Sequence, residues 1–279
     1  MNLLRFAKRI PVYLNRERDY QEHARGGLRH EVICYDEATR FRCPNDALVF
    51  SQFQAHVFQP QSREEIRQFL HLAEGCRRSI DAGASAGIFS MLFAVSRPGA
   101  SILSVEPEDR SFRLLCEARA LNLREGVDWS TARCVLAASP GRVMIDTSEL
   151  GATVAGVDRG ATRGAGQEAA EAHSLASLCS AHGFLPDLLK LDIESFEYEV
   201  LTSSRDFLAE TMPRIQLELH NFLIRRRSLD PAAPLRVLFD LGYSDQVLGR
   251  SWQAWCRAVD ASVQHRHQTR HFFLSKSSG

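Results

Sequence analysis

The sequence predicts an α/β chain built on a doubly wound, mostly parallel sheet. Three observations carry that expectation. Short apolar segments recur from residue 79 onward, at Ser79–Asp81, Ser101–Val105, Cys134–Ala138, Asp187–Ile193 and Ile215–Leu219. Helix-like stretches follow most of them, the spacing of parallel βαβ units. A glycine-bearing turn, Gly83 to Gly87, directly follows the first strand and opens a helix, as in nucleotide-binding α/β folds. With 279 residues, 44% of them hydrophobic and 24% charged, the chain has ample material for a buried core and is not disordered as a whole.

The elements follow in order. Met1 to Pro11 is basic and amphipathic, and charges interrupt its apolar stretches. It lacks the unbroken apolar segment and small-residue cleavage site of a secretory signal. It is a candidate for a homodimer contact or a transient membrane contact. Val32–Tyr35 and Thr39–Cys43 read as short strands, and Ser62–Ala73 as a helix whose start is marked by a capping box, Ser62 with Glu65. Residues 1–75 are therefore read as an N-terminal extension capping the substrate side, and 76–279 as the main domain. In that domain, Ile88–Val95 is a buried helix, Ser101–Val105 the second strand, Asp109–Asn122 a helix and Cys134–Ala138 the third strand. Residues 147–172, carrying Gly151, Gly156, Gly160, Gly164 and Gly166, are too glycine-rich for a helix. They read as a long loop, a lid or a disordered connection. Arg270–Leu274 is the last strand, with Trp252 and Trp255 before it as packing residues.

Charge and cysteine content exclude several classes. Lys plus Arg and Asp plus Glu are 34 each, against the basic excess expected when nucleic acid is the main partner. No apolar run approaches the roughly 20 residues of a membrane span. The seven cysteines are odd in number, scattered and without a CxxC pair, which points to reduced thiols in a cytoplasmic protein rather than a disulfide scaffold or a cysteine-bound zinc.

Asp81-Ala-Gly-Ala-Ser-Ala-Gly87 is the most informative stretch. Gly83 permits a tight turn and Gly87 close packing of helix on strand. The spacing is GxxxG after an acidic residue, not the dinucleotide GxGxxG. Asp81 would repel a pyrophosphate and tolerate a sulfonium or ammonium. Glu106, about 20 residues beyond at the end of the second strand and followed by Pro107, stands where an acidic side chain accepts hydrogen bonds from a ribose diol.

Further on, Lys190, Asp192 and Glu194 alternate with Leu191 and Ile193, and Glu218 and His220 close the next strand two residues apart. A period of two sets each group on one side of its strand. So many charges at the ends of central parallel strands are costly unless they face a ligand or pair with each other. His220 is the first candidate for a general base, the residue type that titrates nearest pH 7. Asp192, Glu194, Glu218 and His220 also offer donors for a divalent ion, although nothing in their spacing demands one and no metal is assigned. Arg225–Arg227 reads as a solvated basic loop, or as an anchor for an acceptor's carboxylate or phosphate.

The chain resembles the FkbM-type methyltransferases from about Phe41 to Tyr243. The resemblance rests on Ser79–Ser90, Val105-Glu-Pro107, Phe112–Asn122, Leu189–Glu197 and Leu217-Glu-Leu-His220. Ser85, Ser195 and Ala176 stand where the family usually has Asn, Gly and Asp. The resemblance implies a Rossmann-like class I fold with a seven-stranded sheet. It also implies S-adenosylmethionine as cofactor, lined by Asp81, Gly83, Ala84, Ser85, Gly87, Glu106, Pro107, Ala137 and Asp192. Lys190, Asp192, Glu194 and His220 would then carry catalysis, with methyl transfer to a hydroxyl oxygen of a small molecule such as a sugar or polyketide. A methyltransferase-like binding or scaffold protein without activity is an alternative. A nicotinamide-dependent oxidoreductase is a weaker one, opposed by the missing GxGxxG.

Overall fold

In the computed structural model, residues 32–37, 39–44, 46, 49, 53, 60–146, 153–157, 167–245, 249–261 and 270–276 are described. The basic start, Met1 to Pro11, lies outside them. The main sheet has seven strands: β3 (Arg78–Ala82), β4 (Ser101–Val105), β5 (Asp128–Ala132), β10 (Leu188–Leu191), β11 (Arg214–Leu219), β12 (Tyr243–Ser244) and β13 (Arg270–Lys276). Their spatial order is β12-β13-β11-β10-β3-β4-β5. The five strands β11, β10, β3, β4 and β5 are mutually parallel. β13 runs antiparallel to β11, and β12 antiparallel to β13, so β13 alone is reversed. A separate hairpin pairs β1 (Val32–Cys34) with β2 (Arg40–Arg42).

Burial shows why the sheet is covered on both faces. Ile102 and Leu188 enter one apolar cluster while their neighbours Leu103 and Leu189 enter another, as alternation along a strand requires. The first cluster is closed by helices α1 (Pro60–Leu72), α2 (Ile88–Ser96) and α3 (Asp109–Asn122). The second is closed by α4 (Leu175–His182), α5 (Glu197–Ser203), α6 (Arg205–Thr211), α7 (Asn221–Arg226), α8 (Ala233–Asp240) and α9 (Trp252–Ala261). Trp255 is buried in that second core. Helix α3 starts where the sequence places it because the Glu108 side chain accepts from the backbone N–H groups of Arg110 and Ser111, two of the orphan donors of a helix N-terminus.

Four expectations are corrected. Helix α1 begins at Pro60, ahead of Ser62, since proline suits the first turn; Glu65 accepts from the Gln216 amide at 2.9 Å instead of closing a capping box. The third main-sheet strand is Asp128–Ala132, whereas the apolar run Cys134–Ala138 supplies β6 (Val135–Leu136) of a second, four-stranded sheet. That sheet, ordered β6-β9-β7-β8, also holds β7 (Gly141–Asp146), β8 (Thr153–Val157) and β9 (Gln167–His173). The stretch 147–172 therefore contains strand where a loop is predicted: β7 recruits β8 and β9 as antiparallel partners, and ladder hydrogen bonds offset glycine's poor intrinsic preference. Finally, the run Arg225–Arg227 is exposed as expected but is not a loop: Arg225 and Arg226 end helix α7 and Arg227 is its C-cap.

Among the described residues no helix is long and apolar enough to cross a membrane. The seven cysteines form no disulfide. Burial pushes the thiols of Cys134 and Cys179 up to about 12 and about 11, so neither is a thiolate nucleophile at neutral pH.

Candidate functional site

The site lies at the carboxyl ends of β3, β4, β10 and β11, the edge of a parallel sheet where ligands bind. The turn after β3 is stapled to the neighbouring strand: the N–H groups of Gly83 and Ala84 both donate to the Val105 carbonyl at 3.0 Å. Gly83 has φ +73°, and a Cβ there would stand 1.7 Å from the Asp192 carbonyl oxygen. Only glycine lets the turn and the end of β10 touch. Gly87 faces α3, where a Cβ would meet Leu115 at 2.7 Å, the close helix packing expected of it.

Glu106 is 6% exposed. One carboxylate oxygen accepts from the Ser85 N–H at 2.8 Å and the other from the Glu108 N–H at 3.0 Å. Burial pushes its pKa up to about 7 against the pull of those two hydrogen bonds. Pro107 continues from it, and its carbonyl accepts from Arg133 at 3.3 Å. Arg133 also pairs with Asp109 at 3.2 Å and with Glu168 of the second sheet at 3.0 Å. Ala137 is buried just past β6 and donates to the His173 carbonyl. It belongs to the second sheet, not to a main-sheet strand end.

Asp81 is buried inside the sheet behind the turn. Its Oδ2 accepts from the Ser90 N–H at 3.1 Å and the Ser90 hydroxyl at 2.6 Å. A buried relay continues to Ser104, 2.7 Å from Ser90, which accepts from the Trp129 indole at 2.8 Å. The other oxygen, Oδ1, has no hydrogen bond and lies 3.6 Å from Lys190 Nζ. Lys190 also donates to Asp192 Oδ2 at 3.2 Å and sits over the Phe89 ring. Its burial opposes the charge, but Asp192 and Asp81 outweigh that and hold its pKa above the ordinary lysine value.

The polar cluster predicted from the alternating pattern does assemble. Extended backbone stops at Leu191, and Glu194 and Ser195 then take left-handed conformations, φ +51° and +85°. Ser195 thus occupies a backbone position suited to glycine. Glu197, 0% exposed, fixes this turn by accepting from the N–H groups of Ile193 at 2.8 Å and Ser195 at 3.3 Å. The same Oε1 lies 3.0 Å from His220 Nδ1. His220 Nε2 faces Glu194 Oε2 at 3.5 Å and Asp192 Oδ1 at 3.8 Å. Burial alone would lower the imidazole pKa; the Glu197 hydrogen bond and the charges of Glu197, Asp192 and Glu194 outweigh it and push it up to about 10. His220 is therefore an imidazolium at neutral pH with the crevice in this state.

Sequence reasoning missed Glu197, Ser90, Ser104 and Trp129. The first lies in a helix and meets His220 only through the strand crossover; the others are small or aromatic residues with no motif around them. Arg227 is spent on structure, bonding the Ser195 carbonyl at 3.1 Å and hydroxyl at 3.2 Å, pairing with Glu199 and covering the Phe196 ring. A cavity of about 570 Å3 lined by Arg78, Asp187, Phe207, Met212 and Arg214 opens at the opposite, amino-terminal ends of the strands, away from this cluster.

The chain matches several solved structures at low identity. An FkbM methyltransferase from Methylobacillus flagellatus KT is 13% identical, with 84% of this chain and 52% of that chain covered and a TM-score of 0.43. The chain thus spans about half the length of that relative. M. jannaschii TYW2 in complex with AdoMet is 12% identical over 77% of this chain and 74% of that chain, with a TM-score of 0.32. The plantazolicin methyltransferase BpumL in complex with SAH is 10% identical over 81% and 94%, with a TM-score of 0.33. No curated protein matches the sequence. The methyltransferase FkbM domain model matches residues 81–244, from the acidic residue behind the glycine turn to the end of β12 and more than half of the chain. The chain belongs to the FkbM methyltransferase family.

Proposed function

We propose that the protein transfers a methyl group from S-adenosylmethionine to a hydroxyl oxygen of a small molecule. The observation that carries this is the juxtaposition, through Gly83 and Asp192, of the turn after β3 with the charged ends of β10 and β11. The cofactor, when bound, supplies an electrophilic methyl on a sulfonium sulfur. The residues present suit it. Glu106 has both oxygens anchored by backbone donors, leaving acceptor capacity for a ribose diol. The Gly83–Ser85 backbone offers a close approach, and Asp192 brings negative charge beside a cation. Asp81 lies one layer deeper and, with Lys190, orients Asp192.

The acceptor hydroxyl loses a proton as the new C–O bond forms. Asp192 and Glu194 stand 3.8 and 3.5 Å from the protonated His220, and a carboxylate of this cluster takes that proton. Positioning supplies the rest of the acceleration, since an in-line displacement depends on alignment. The second sheet, joined to the Pro107 turn by Arg133, would form a wall that selects a small acceptor. The reading assigns no nucleic-acid partner and a cytoplasmic setting.

The test is a thermal melt with and without S-adenosylhomocysteine, with NAD as control. Saturation at about 100 times Kd adds roughly 2.7 kcal/mol, a shift of several degrees. Transfer of labelled methyl from S-adenosylmethionine to a panel of hydroxylated metabolites then tests the acceptor class. A shift with NAD instead, or none with S-adenosylhomocysteine, rejects the reading.

A further inference from the structure

We propose that Asp192, Glu218 and His220 form a site for one divalent cation of the first transition row, a use of the crevice that rests on the methyl-transfer reading above. One ligand atom from each lies within 4.8 Å of the others. They come from the ends of the adjacent parallel strands β10 and β11, so the sheet itself fixes their spacing.

His220 supplies the second observation. It is 7% exposed, and its Nδ1 is taken by the buried Glu197 carboxylate, which leaves Nε2 turned into the cluster. That nitrogen makes no hydrogen bond: its nearest anionic oxygens stand 3.5 and 3.8 Å away, beyond the usual N–H···O length. Nε2 is thus ion-paired with the Glu194 and Asp192 carboxylates at a separation wider than a hydrogen bond. Ligands about 2.1 Å from a shared ion lie about 3–4 Å from one another, so side-chain adjustment alone would seat one. The carboxylate–imidazole–ion arrangement set up by Glu197 is the usual way a ligating histidine is oriented; the ion takes the place of the Nε2 proton, which is released to solvent on binding. Lys190 engages Asp192 Oδ2, and Oδ1 is the oxygen that faces His220 Nε2.

The donor set is two carboxylates and one imidazole. Calcium favours an all-oxygen shell, and thiolate-seeking ions find no cysteine in the set, so an ion such as Mn2+ fits best. Three protein ligands leave open positions at which an acceptor hydroxyl oxygen can coordinate and become more acidic. Glu194, outside the ligand set, then receives the acceptor proton.

Mn2+ titrated into the full chain and followed by loss of the free-ion electron paramagnetic resonance signal should show one equivalent bound. The bound ion should carry the nitrogen hyperfine coupling of one imidazole. Glu218→Gln and Asp192→Asn should each weaken binding at least tenfold, and Glu197→Gln about 10–100-fold. Glu64→Gln, an exposed carboxylate paired with Arg67, should leave it unchanged. Absence of saturable binding, binding indifferent to Glu218→Gln, or absence of nitrogen coupling in the unsubstituted protein overturns the site. The coupling decides the matter even where a variant fails to fold. A melt shift with S-adenosylhomocysteine but no Mn2+ binding removes the cation and leaves the methyl-transfer reading. Mn2+ binding with imidazole coupling but no such shift removes that reading and keeps the cation site.

Discussion

Replacing Gly83 by alanine tests the geometry on which the site depends. The position has φ +73°, and an added Cβ would lie 1.7 Å from the Asp192 carbonyl oxygen and 2.8 Å from its carbon. Both are backbone atoms of a strand end, so no flexible side chain can move aside. The left-handed backbone costs an L-residue about 1–2 kcal/mol, and crowding of a packed interior about 1–3 kcal/mol more. Together these give roughly 2–5 kcal/mol. At about 2–4 °C per kcal/mol for a chain of this size, Tm should fall by about 4–20 °C. Gly126 makes the control, because it has φ +78° and an added Cβ there would meet nothing within 4 Å. Gly126→Ala carries only the conformational cost, a fall of about 2–8 °C. Differential scanning fluorimetry of both variants, with and without S-adenosylhomocysteine, reads the difference. Gly83→Ala should also lose most of its ligand-induced shift, while Gly126→Ala keeps it. Equal melting of the two variants would refute the close approach of the turn to β10.

Three further outcomes are expected. Because Glu106 has its pKa raised to about 7 by burial, its carboxylate is neutralised as pH falls through that value. S-adenosylhomocysteine affinity measured by calorimetry should weaken from pH 8 to pH 6, and Glu106→Gln should bind more weakly but without that slope. His220 has a folded pKa of about 10 against about 6.5 unfolded. Its contribution to stability is complete below pH 6.5 and is lost as pH rises through 10; denaturant midpoints should decline over that window and flatten in His220→Gln. Lys190→Met leaves Asp81 and Asp192 without their shared cation, which should cost about 3–5 kcal/mol. Adding Asp81→Asn should recover part of it in the same unfolding assay.

Much of the fold was legible because its strands are apolar and its helices strongly punctuated. Asp109–Asn122 is bounded in the sequence as in the structure, since Glu108 supplies a cap and Leu115 and Ala118 a buried stripe. The third strand was not, because Asp128-Trp-Ser-Thr-Ala132 buries Trp129 but little else at the sheet edge, and the more apolar Cys134–Ala138 drew the assignment. The 147–172 region misled through its glycines, whose local preference says nothing about an antiparallel partner elsewhere in the chain. In the site, Lys190, Asp192, Glu194 and His220 were legible from a period of two, and the cluster they form is real. What the pattern could not convey was the part of Glu197, which from across a crossover connection joins Asp192 and Glu194 in holding the His220 pKa up.

Glu197 has a consequence for how this crevice can change over time. One carboxylate oxygen holds two consecutive features: the left-handed bend at Glu194–Ser195, through the Ile193 and Ser195 amides, and the ring of His220. A substitution there is pleiotropic, altering backbone path and imidazole orientation in a single step. Drift at residue 197 is thereby closed off, whereas glycine at residue 195 would keep the backbone contacts to Glu197 and Arg227 and lose only the hydroxyl's bond to Arg227. Divergence toward new acceptors must therefore proceed through the surrounding walls, with the bend and the imidazole inherited as one module.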